Sequence, residues 1–318
     1  GRLGDLTHAG PVGLPHQADV QDHRRPRRQH ARGHRPDLRL AALDPLDHPL
    51  VLEGLGHVGR EELRLMQQAG IVTLQPGIES LSSPVLRRMR KGVKAIQNVN
   101  LLRWSRYYGM TTSWNLLWGF PGEQAAEYEK QAALMRRLVH LQAPTACGPV
   151  WLERFSPLFR ERDSFPLERL SAERSYRYVY PTDVYLERLA FFFDYELRDT
   201  LPIDSFESVA AATRHWQKRA AETPGPALWF FRAPGYLEID DQREADQRYL
   251  HRFEGELADL YFALSDRPHR PDAVKAQLGL EQPLSEIIEA LDEFCRRGLM
   301  MEDEGSYLAL ALPAGGMR

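Results

Sequence analysis

The chain has 318 residues, of which 43% are hydrophobic and 27% charged, a normal balance for two or three packed globular domains. Lys and Arg total 41 against 44 Asp and Glu, and the net charge of −3 excludes a strongly basic nucleic-acid footprint over the whole chain. No apolar run reaches the ~20 residues of a bilayer span. This lack of an apolar run and the near-neutral charge predict a protein with no membrane contact. The chain has two cysteines, Cys147 and Cys295, which cannot form a disulfide framework, and we therefore predict a cytoplasmic protein.

Residues 1–58 differ in composition from everything that follows. They contain no aromatic residue and hold seven of the eleven histidines of the chain. With so little apolar mass, the segment is interpreted as a solvated, disordered arm. A histidine metal site and a phosphate-binding basic patch over 24–39 are alternative interpretations. A further hypothesis is a frame-shifted or misassigned start, because Arg, His, Pro and Gly dominate and ordinary composition begins abruptly near Gly59.

Strand and helix patterns alternate from residue 60 onward. The predicted elements are a helix over 61–69, a strand over 71–74, helices over 83–90 and 95–108, a strand over 112–117, a helix over 125–141 and a strand over 150–155. This order is typical of βα units in a parallel sheet or barrel. In such folds, ligands bind at the carboxyl ends of the strands.

Two polar, glycine-bearing turns follow the first two predicted strands, over 75–80 and 119–123. Gly77, Gly119 and Gly122 allow a ligand to approach the backbone closely. Glu79 and Glu123 can accept hydrogen bonds from ribose hydroxyls or from an amino group. From spacing alone, a small-molecule site and a purely structural pair of turns remain equally open.

The motifs in these turns resemble a known enzyme family. The run over 77–92, which begins Gly-Ile-Glu-Ser, and Trp-Gly-Phe-Pro-Gly-Glu over 118–123 look like the second half of a radical S-adenosylmethionine (SAM) barrel of the cobalamin-binding subgroup. The segments 75–80, 114–123, 148–157 and 185–195 are similar to radical SAM enzymes that mature ribosomally made peptides (RiPPs) of the bacteriocin type. The resemblance covers about residues 60–312.

The resemblance implies an α/β fold: a partial (β/α)6 radical-SAM-type barrel, its second half, over 59–170. The residues that it places at SAM are Gln75, Gly77, Glu79, Ser80, Asn115, Gly119, Phe120, Gly122 and Glu123. By that resemblance, Glu79 and Ser80 lie near the ribose or methionine part of SAM. Asn115 and the 119–123 turn lie near its adenosyl end.

The cofactors implied by the family are SAM, a [4Fe–4S] cluster and cobalamin. The CxxxCxxC loop that holds the cluster and the cobalamin domain are absent from this sequence, so no metal site is predicted. We therefore expect the C-terminal part of an enzyme for radical modification, in one version C-methylation, of a precursor peptide, and we expect it to be inactive alone. Its expected partners are the precursor peptide and a missing N-terminal half or another chain.

For the remaining residues we predict a helical and hairpin connecting region over 171–245 and a winged-helix-like module over 246–318. The predicted elements are an aromatic helix over 176–195, a helix over 208–221, a hairpin of 228–231 with 236–239, helices over 249–264, 271–278 and 284–297, and a wing of 299–302 with 307–310. The aromatic run is interpreted as core or as a base or peptide platform, and Asp240-Asp241 as a hairpin edge or a metal ligand pair. Acidic residues on the last helix argue against DNA binding.

A different class of function fits the same sequence. The alternative to the enzyme fragment is a non-catalytic peptide- or protein-binding partner that uses the helical and winged-helix-like modules.

Overall fold

The computed structural model describes residues 58–222, 227–244 and 246–315, so the predictions made for residues 1–57 lie outside the described part. The helices are α1 Arg60–Gln68, α2 Ser83–Arg88, α3 Ala95–Tyr107, α4 Ala125–Arg137, α5 Pro157–Arg160, α6 Tyr176–Val179, α7 Leu186–Leu189, α8 Glu207–Glu222, α9 Gly255–Ala263, α10 Pro271–Leu278 and α11 Leu284–Arg296. The strands are β1 Thr73–Leu74, β2 Thr111–Thr112, β3 Asn115–Trp118, β4 Ala146–Pro149, β5 Leu152–Glu153, β6 Leu167–Ala172, β7 Phe192–Leu197, β8 Leu228–Ala233, β9 Tyr236–Asp241, β10 Tyr249–Glu254, β11 Met300–Asp303, β12 Ser306–Ala309 and β13 Leu312–Pro313.

Parallel strands alternate with helices in the first part of the fold. Strand β1 pairs with β2, Glu79 bridges to Leu116 in the same parallel sense, and β3 pairs with β4. These parallel strands lie in three segments of the chain, 73–79, 111–118 and 146–149. Helices α2 and α3 connect the first segment to the second, and α4 connects the second to the third. The predicted strand–helix alternation is therefore present as a mixed α/β arrangement. The third parallel strand is Ala146–Pro149, and of the predicted 150–155 only Leu152–Glu153 is a strand, β5, which lies in an antiparallel sheet. The prediction missed Ala146–Pro149 because its Ala-Cys-Gly-Pro sequence lacks the β-branched residues that mark a strand.

One face of the parallel strands packs against helices. Leu116 and Trp118 are buried in the largest apolar cluster of the described residues. Trp118 stacks on Phe206 at 5.1 Å between ring centroids, and Trp114 meets Trp216 of α8 edge-on at 5.8 Å. Aromatic pairs in these geometries add to the stabilisation from burial alone. Helix α8, predicted over 208–221, thus covers the helix-side face of the strands.

A three-stranded antiparallel sheet, ordered β5-β7-β6, follows the parallel strands. The predicted aromatic helix over 176–195 is wrong, because this region forms two single-turn helices and the start of β7. Pro181 interrupts any helix, and the consecutive aromatics from Phe191 favour a strand, in which aromatic rings pack well across a pleated surface. Tyr178 is 76% exposed, so the segment is also not a uniformly buried core.

The C-terminal part combines a four-stranded sheet with three helices and a hairpin. The predicted hairpin is confirmed as β8 and β9, and it belongs to a sheet ordered β10-β9-β8-β13. The predicted helix over 249–264 is partly wrong: its first six residues form β10, and α9 begins only at Gly255. Helices α10 and α11 and the β11–β12 hairpin lie where they were predicted. Glu304 and Gly305 both have positive φ, as a tight two-residue hairpin turn requires.

A buried arginine ties the C-terminal segment to α3. Arg103 is fully buried and donates hydrogen bonds to the carbonyls of Ser265 at 2.9 Å, Ala311 at 3.0 Å and Leu310 at 3.4 Å. Burial lowers the pKa of its guanidinium to about 10. The largest apolar cluster likewise includes residues from Ile78 to Ala311, so the predicted segments 59–170 and 246–318 share one core.

Candidate functional site

Four of the predicted site residues lie on one accessible face of the parallel strands, which we call the open strand face. Gln75, Gly77 and Glu79 alternate with buried residues along the first segment, and Asn115 is exposed at the start of β3. The Leu117 N–H donates to the Glu79 carbonyl at 2.9 Å, which fixes the two segments side by side. Since Leu116 points into the helix-side core, Asn115 takes the opposite face. The backbone register therefore gathers these four residues.

Glu79 forms an ion pair with Lys91 above Gly77. The Lys91 Nζ lies 3.3 Å from Glu79 Oε1, and both side chains are half-buried. A Cβ on Gly77 would lie 3.0 Å from that Nζ and 3.5 Å from that Oε1, so a side chain there would push the Lys91 ammonium aside by a few tenths of an ångström. Glu79 itself has φ 55°, a left-handed conformation that carries strain for a residue with a side chain. Sequence reasoning missed Lys91, whose one signal is its place in the basic run before Gly92.

The turn over 119–123 closes on its own carboxylate. Gly119 has φ 94° and donates its N–H to Glu123 Oε2 at 3.0 Å. Glu123 is only 2% exposed, and its Oε1 makes no hydrogen bond; the Tyr128 hydroxyl faces it without hydrogen-bonding geometry. Burial raises the pKa of the Glu123 carboxyl, and the neighbouring Tyr128 hydroxyl, the N–H groups of the turn and the charge of Arg88 oppose that rise. The carboxylate thus points inward, away from the open strand face.

Two further predicted site residues are also directed into the interior. The Ser80 hydroxyl donates to Gln131 Oε1 at 2.6 Å, and the same oxygen accepts the Leu81 N–H at 2.7 Å. Phe120 belongs to the apolar cluster beneath the antiparallel sheet. Gly122 donates its N–H to the Asp199 carbonyl at 2.9 Å. The structure therefore does not bring Ser80, Phe120 and Glu123 together with the four residues of the open strand face.

A cleft that sequence reasoning did not identify begins where β4 ends, and we call it the aromatic cleft. It has a volume of about 720 Å³ and is lined by the segment 149–152, by Arg169 and Glu173, and by residues 192–196 of β7. Tyr195 donates to the Val150 carbonyl at its base, and burial together with the charge of Glu123 raises the pKa of Tyr195 to about 12. The cleft therefore adjoins the 119–123 turn. Its sequence signals were the motif over 148–157 and the aromatic run over 176–195, for which a base or peptide platform was one interpretation.

The residues present do not fit an iron–sulfur cluster. A [4Fe–4S] cluster of the radical SAM type needs three thiolates, and the whole chain has two cysteines. Cys295 lies on α11, where burial raises the pKa of its thiol to about 12. In the described part of the chain, no group of three His, Cys, Asp or Glu side chains is placed to hold a metal ion. Asp240 and Asp241 pair with Arg248 and Arg243 at 2.8 Å and 2.6 Å. The hairpin-edge interpretation is wrong, because both aspartates are buried on β9, which pairs with β8 on one side and β10 on the other.

No protein-family model and no curated protein matches the sequence. Among solved structures, the chain is distantly similar to coproporphyrinogen III oxidase (HemN) from Escherichia coli, described as a radical SAM enzyme, at 11% identity and a TM-score of 0.33. It is also distantly similar to Elp3 from the archaeon Methanocaldococcus infernus, solved with residues 1–46 deleted, at 13% identity and a TM-score of 0.30. These matches cover 82% and 60% of this chain, and they span 65% and 52% of the two solved chains. Within the described residues, no helix combines the length and apolar character needed to cross a bilayer.

Proposed function

We propose that this chain binds SAM on the open strand face as part of a radical SAM enzyme of the peptide-maturation type. The observation that carries the proposal is the parallel register between Glu79 and Leu116. That register sets Glu79, Gly77 and Asn115 on one accessible face, with Lys91 beside them. The proposed reaction of the complete enzyme is radical modification of a ribosomally made precursor peptide, with cobalamin-dependent C-methylation as one form of it.

The chemistry of this face suits the charges of SAM. A carboxylate and an ammonium 3.3 Å apart offer complementary partners for the ammonium and carboxylate of the methionine part of the ligand. The exposed amides of Gln75 and Asn115 each supply both donors and acceptors for ribose hydroxyls or adenine. Gly77 lets the ligand and Lys91 approach the backbone without a side chain between them. The proposed role of these residues is to bind and orient SAM.

We propose that this chain by itself does not cleave SAM. Reductive cleavage requires the cluster, and the chain offers two thiols where three are needed. The described residues therefore supply binding and orientation, and the cluster ligands belong to a partner polypeptide or to a region outside these 318 residues.

Isothermal titration calorimetry of the full chain with SAM tests the binding step. Wild-type protein is expected to bind, and Glu79→Gln and Asn115→Ala are each expected to raise Kd about tenfold through the loss of a charged or an amide contact. Glu289→Gln, an exposed acid on α11, is the matched control and leaves Kd unchanged. Equal affinities in all four proteins would refute the assignment of the open strand face.

Anaerobic reconstitution with iron and sulfide separates the proposal from its rival. The chain is expected to bind substoichiometric iron and to show no cluster absorption band. A stoichiometric cluster would contradict the statement that it cannot cleave SAM alone. The absence of both SAM binding and a cluster, combined with peptide binding, would favour the non-catalytic binding partner.

A further inference from the structure

The outward face of the antiparallel sheet is aromatic and acidic. Trp151 is 68% exposed and meets Phe192 edge-on, with 5.7 Å between ring centroids. Around this pair, the described lining of the cleft holds Glu173, Asp194 and Glu196 against one cation, Arg169. Arg169 is already paired with Glu196 at 2.9 Å, so the cleft keeps a net negative charge. An occupant that matches this surface carries an apolar group next to a positive one.

The backbone of β7 adds a second feature to the same cleft. Strand β5 covers only Phe192 and Phe193 of β7, whereas β6 pairs along the whole strand. The Phe192 carbonyl accepts from Glu173 on the β6 side, and the Phe191 carbonyl accepts from Arg154 on the β5 side. Because backbone groups alternate in direction along an antiparallel strand, those of Tyr195 point to the β5 side. From Tyr195 onward, that side of β7 has no strand partner within the described residues.

We infer that the aromatic cleft is a docking site for an extended polypeptide segment in which apolar and basic residues follow one another at every second position, so that both kinds of side chain lie on the same face of the strand. The segment pairs with the uncovered edge of β7 by main-chain hydrogen bonds, as an added strand. Its apolar side chains contact Trp151 and Phe192, and its basic side chains face Asp194 and Glu173. Recognition therefore combines backbone pairing with charge, a combination that a small rigid ligand does not use. This site is separate from the open strand face and does not depend on SAM binding there.

Fluorescence anisotropy tests the inference on the full chain, with a labelled nonapeptide that carries leucine and lysine in turn at its odd positions and threonine at its even positions. The peptide is expected to bind with an affinity that falls as salt rises. The same peptide with glutamate in place of lysine, and one N-methylated at alternate residues to remove main-chain donors, are each expected to bind at least tenfold more weakly. Equal binding of either control peptide would overturn the inference.

Variants of residues outside the buried core locate the binding. Trp151→Ala is expected to raise the peptide Kd about tenfold and Asp194→Asn a few-fold, whereas Glu289→Gln and Glu79→Gln leave it unchanged. Unchanged affinity in Trp151→Ala, or no binding of any peptide, would refute the site. Tryptamine binding that Trp151→Ala abolishes, without peptide binding, would reassign the cleft to a small aromatic amine. Because Glu79→Gln and Trp151→Ala act on different ligands, failure here is distinguishable from failure of the SAM proposal.

Discussion

Replacement of Glu123 by glutamine is expected to stabilise the protein at neutral pH. The Glu123 carboxylate is buried, one of its oxygens accepts from Gly119, and the other makes no hydrogen bond. A glutamine keeps the acceptor for the Gly119 N–H and turns its amide N–H toward the Tyr128 hydroxyl, which faces this position. The substitution thus removes a buried charge without removing the bond that closes the turn.

The magnitude follows from the unsatisfied oxygen. A buried acceptor without a partner costs about 1–3 kcal/mol, and the nearby charge of Arg88 offsets part of that cost. We therefore expect Glu123→Gln to raise the free energy of unfolding by about 1 kcal/mol at pH 7. Glu123→Ala also removes the acceptor for Gly119 and leaves a void, and we expect it to lower the free energy of unfolding by about 2 kcal/mol.

The sign of the pH dependence comes from the raised pKa of Glu123. A carboxyl whose folded pKa lies above its unfolded value contributes stability below the unfolded pKa, and that contribution is lost as pH rises through the folded pKa. The advantage of Glu123→Gln over wild type is therefore full above the raised pKa and disappears below about pH 4.3.

Urea unfolding of the three proteins, followed by tryptophan fluorescence at pH 7 and near pH 4, measures these differences. A Glu123→Gln protein that is as unstable at pH 7 as Glu123→Ala would refute the reasoning. It would show that the negative charge itself, through Arg88 or another cation, stabilises the turn.

Three further predictions concern buried contacts around the site. Gln131→Leu removes the oxygen that accepts from both the hydroxyl of Ser80 and the amide of Leu81, and urea unfolding should show a loss of about 2–4 kcal/mol; unchanged stability would contradict a structural role for these two hydrogen bonds. Arg103→Met removes a buried charge but leaves carbonyls of the C-terminal segment without a hydrogen-bond donor. We therefore expect the free energy of unfolding to fall by about 2–4 kcal/mol and amide hydrogen exchange over 310–312 to become faster. Unchanged exchange there would contradict the inference that this arginine holds the C-terminal segment against α3. Gly119→Ala forces a side chain into φ 94° and should cost about 1–2 kcal/mol, whereas Gly148→Ala, where an added Cβ meets no atom within 4 Å, should change stability by less than about 0.5 kcal/mol.

The parallel strands and their helices were predictable because local patterns decide them. Short apolar runs followed by Gly-containing polar turns marked the first two segments, and the 3.6-residue period marked α3 and α4. Strand β4 escaped prediction because Ala146–Pro149 owes its strand geometry to pairing with β3 rather than to its own propensity. Elements of this kind depend on tertiary pairing, which a local pattern does not contain.

In the aromatic run from residue 176, the prediction placed a helix where the structure has two short helices and a strand. The side chains of this run were assigned to a buried helix because aromatic mass usually signals a core. In the structure, alternate members of β7 face the apolar cluster and the outward sheet face, so Phe193 is buried while Phe192 contributes to the aromatic cleft. A two-residue period in a short run cannot be separated from a helical period when nearly every position is aromatic.

The candidate site was predictable to the level of strand ends and not to the level of side chains. Gln75, Gly77, Glu79 and Asn115 were identified from motifs and do share a face. The inward turn of Glu123 follows from closure of its own loop, and the position of Lys91 follows from the way the chain after α2 folds back over the first segment. Neither depends on sequence spacing alone.

The most direct test of the SAM assignment is photoaffinity labelling with 8-azido-S-adenosylmethionine, followed by peptide mapping by mass spectrometry. The account predicts covalent label within 75–79 and 113–119, on the open strand face, and loss of that label with excess unlabelled SAM. Competable label confined to 149–154 and 192–196, in the aromatic cleft, or label that SAM does not displace, would contradict it.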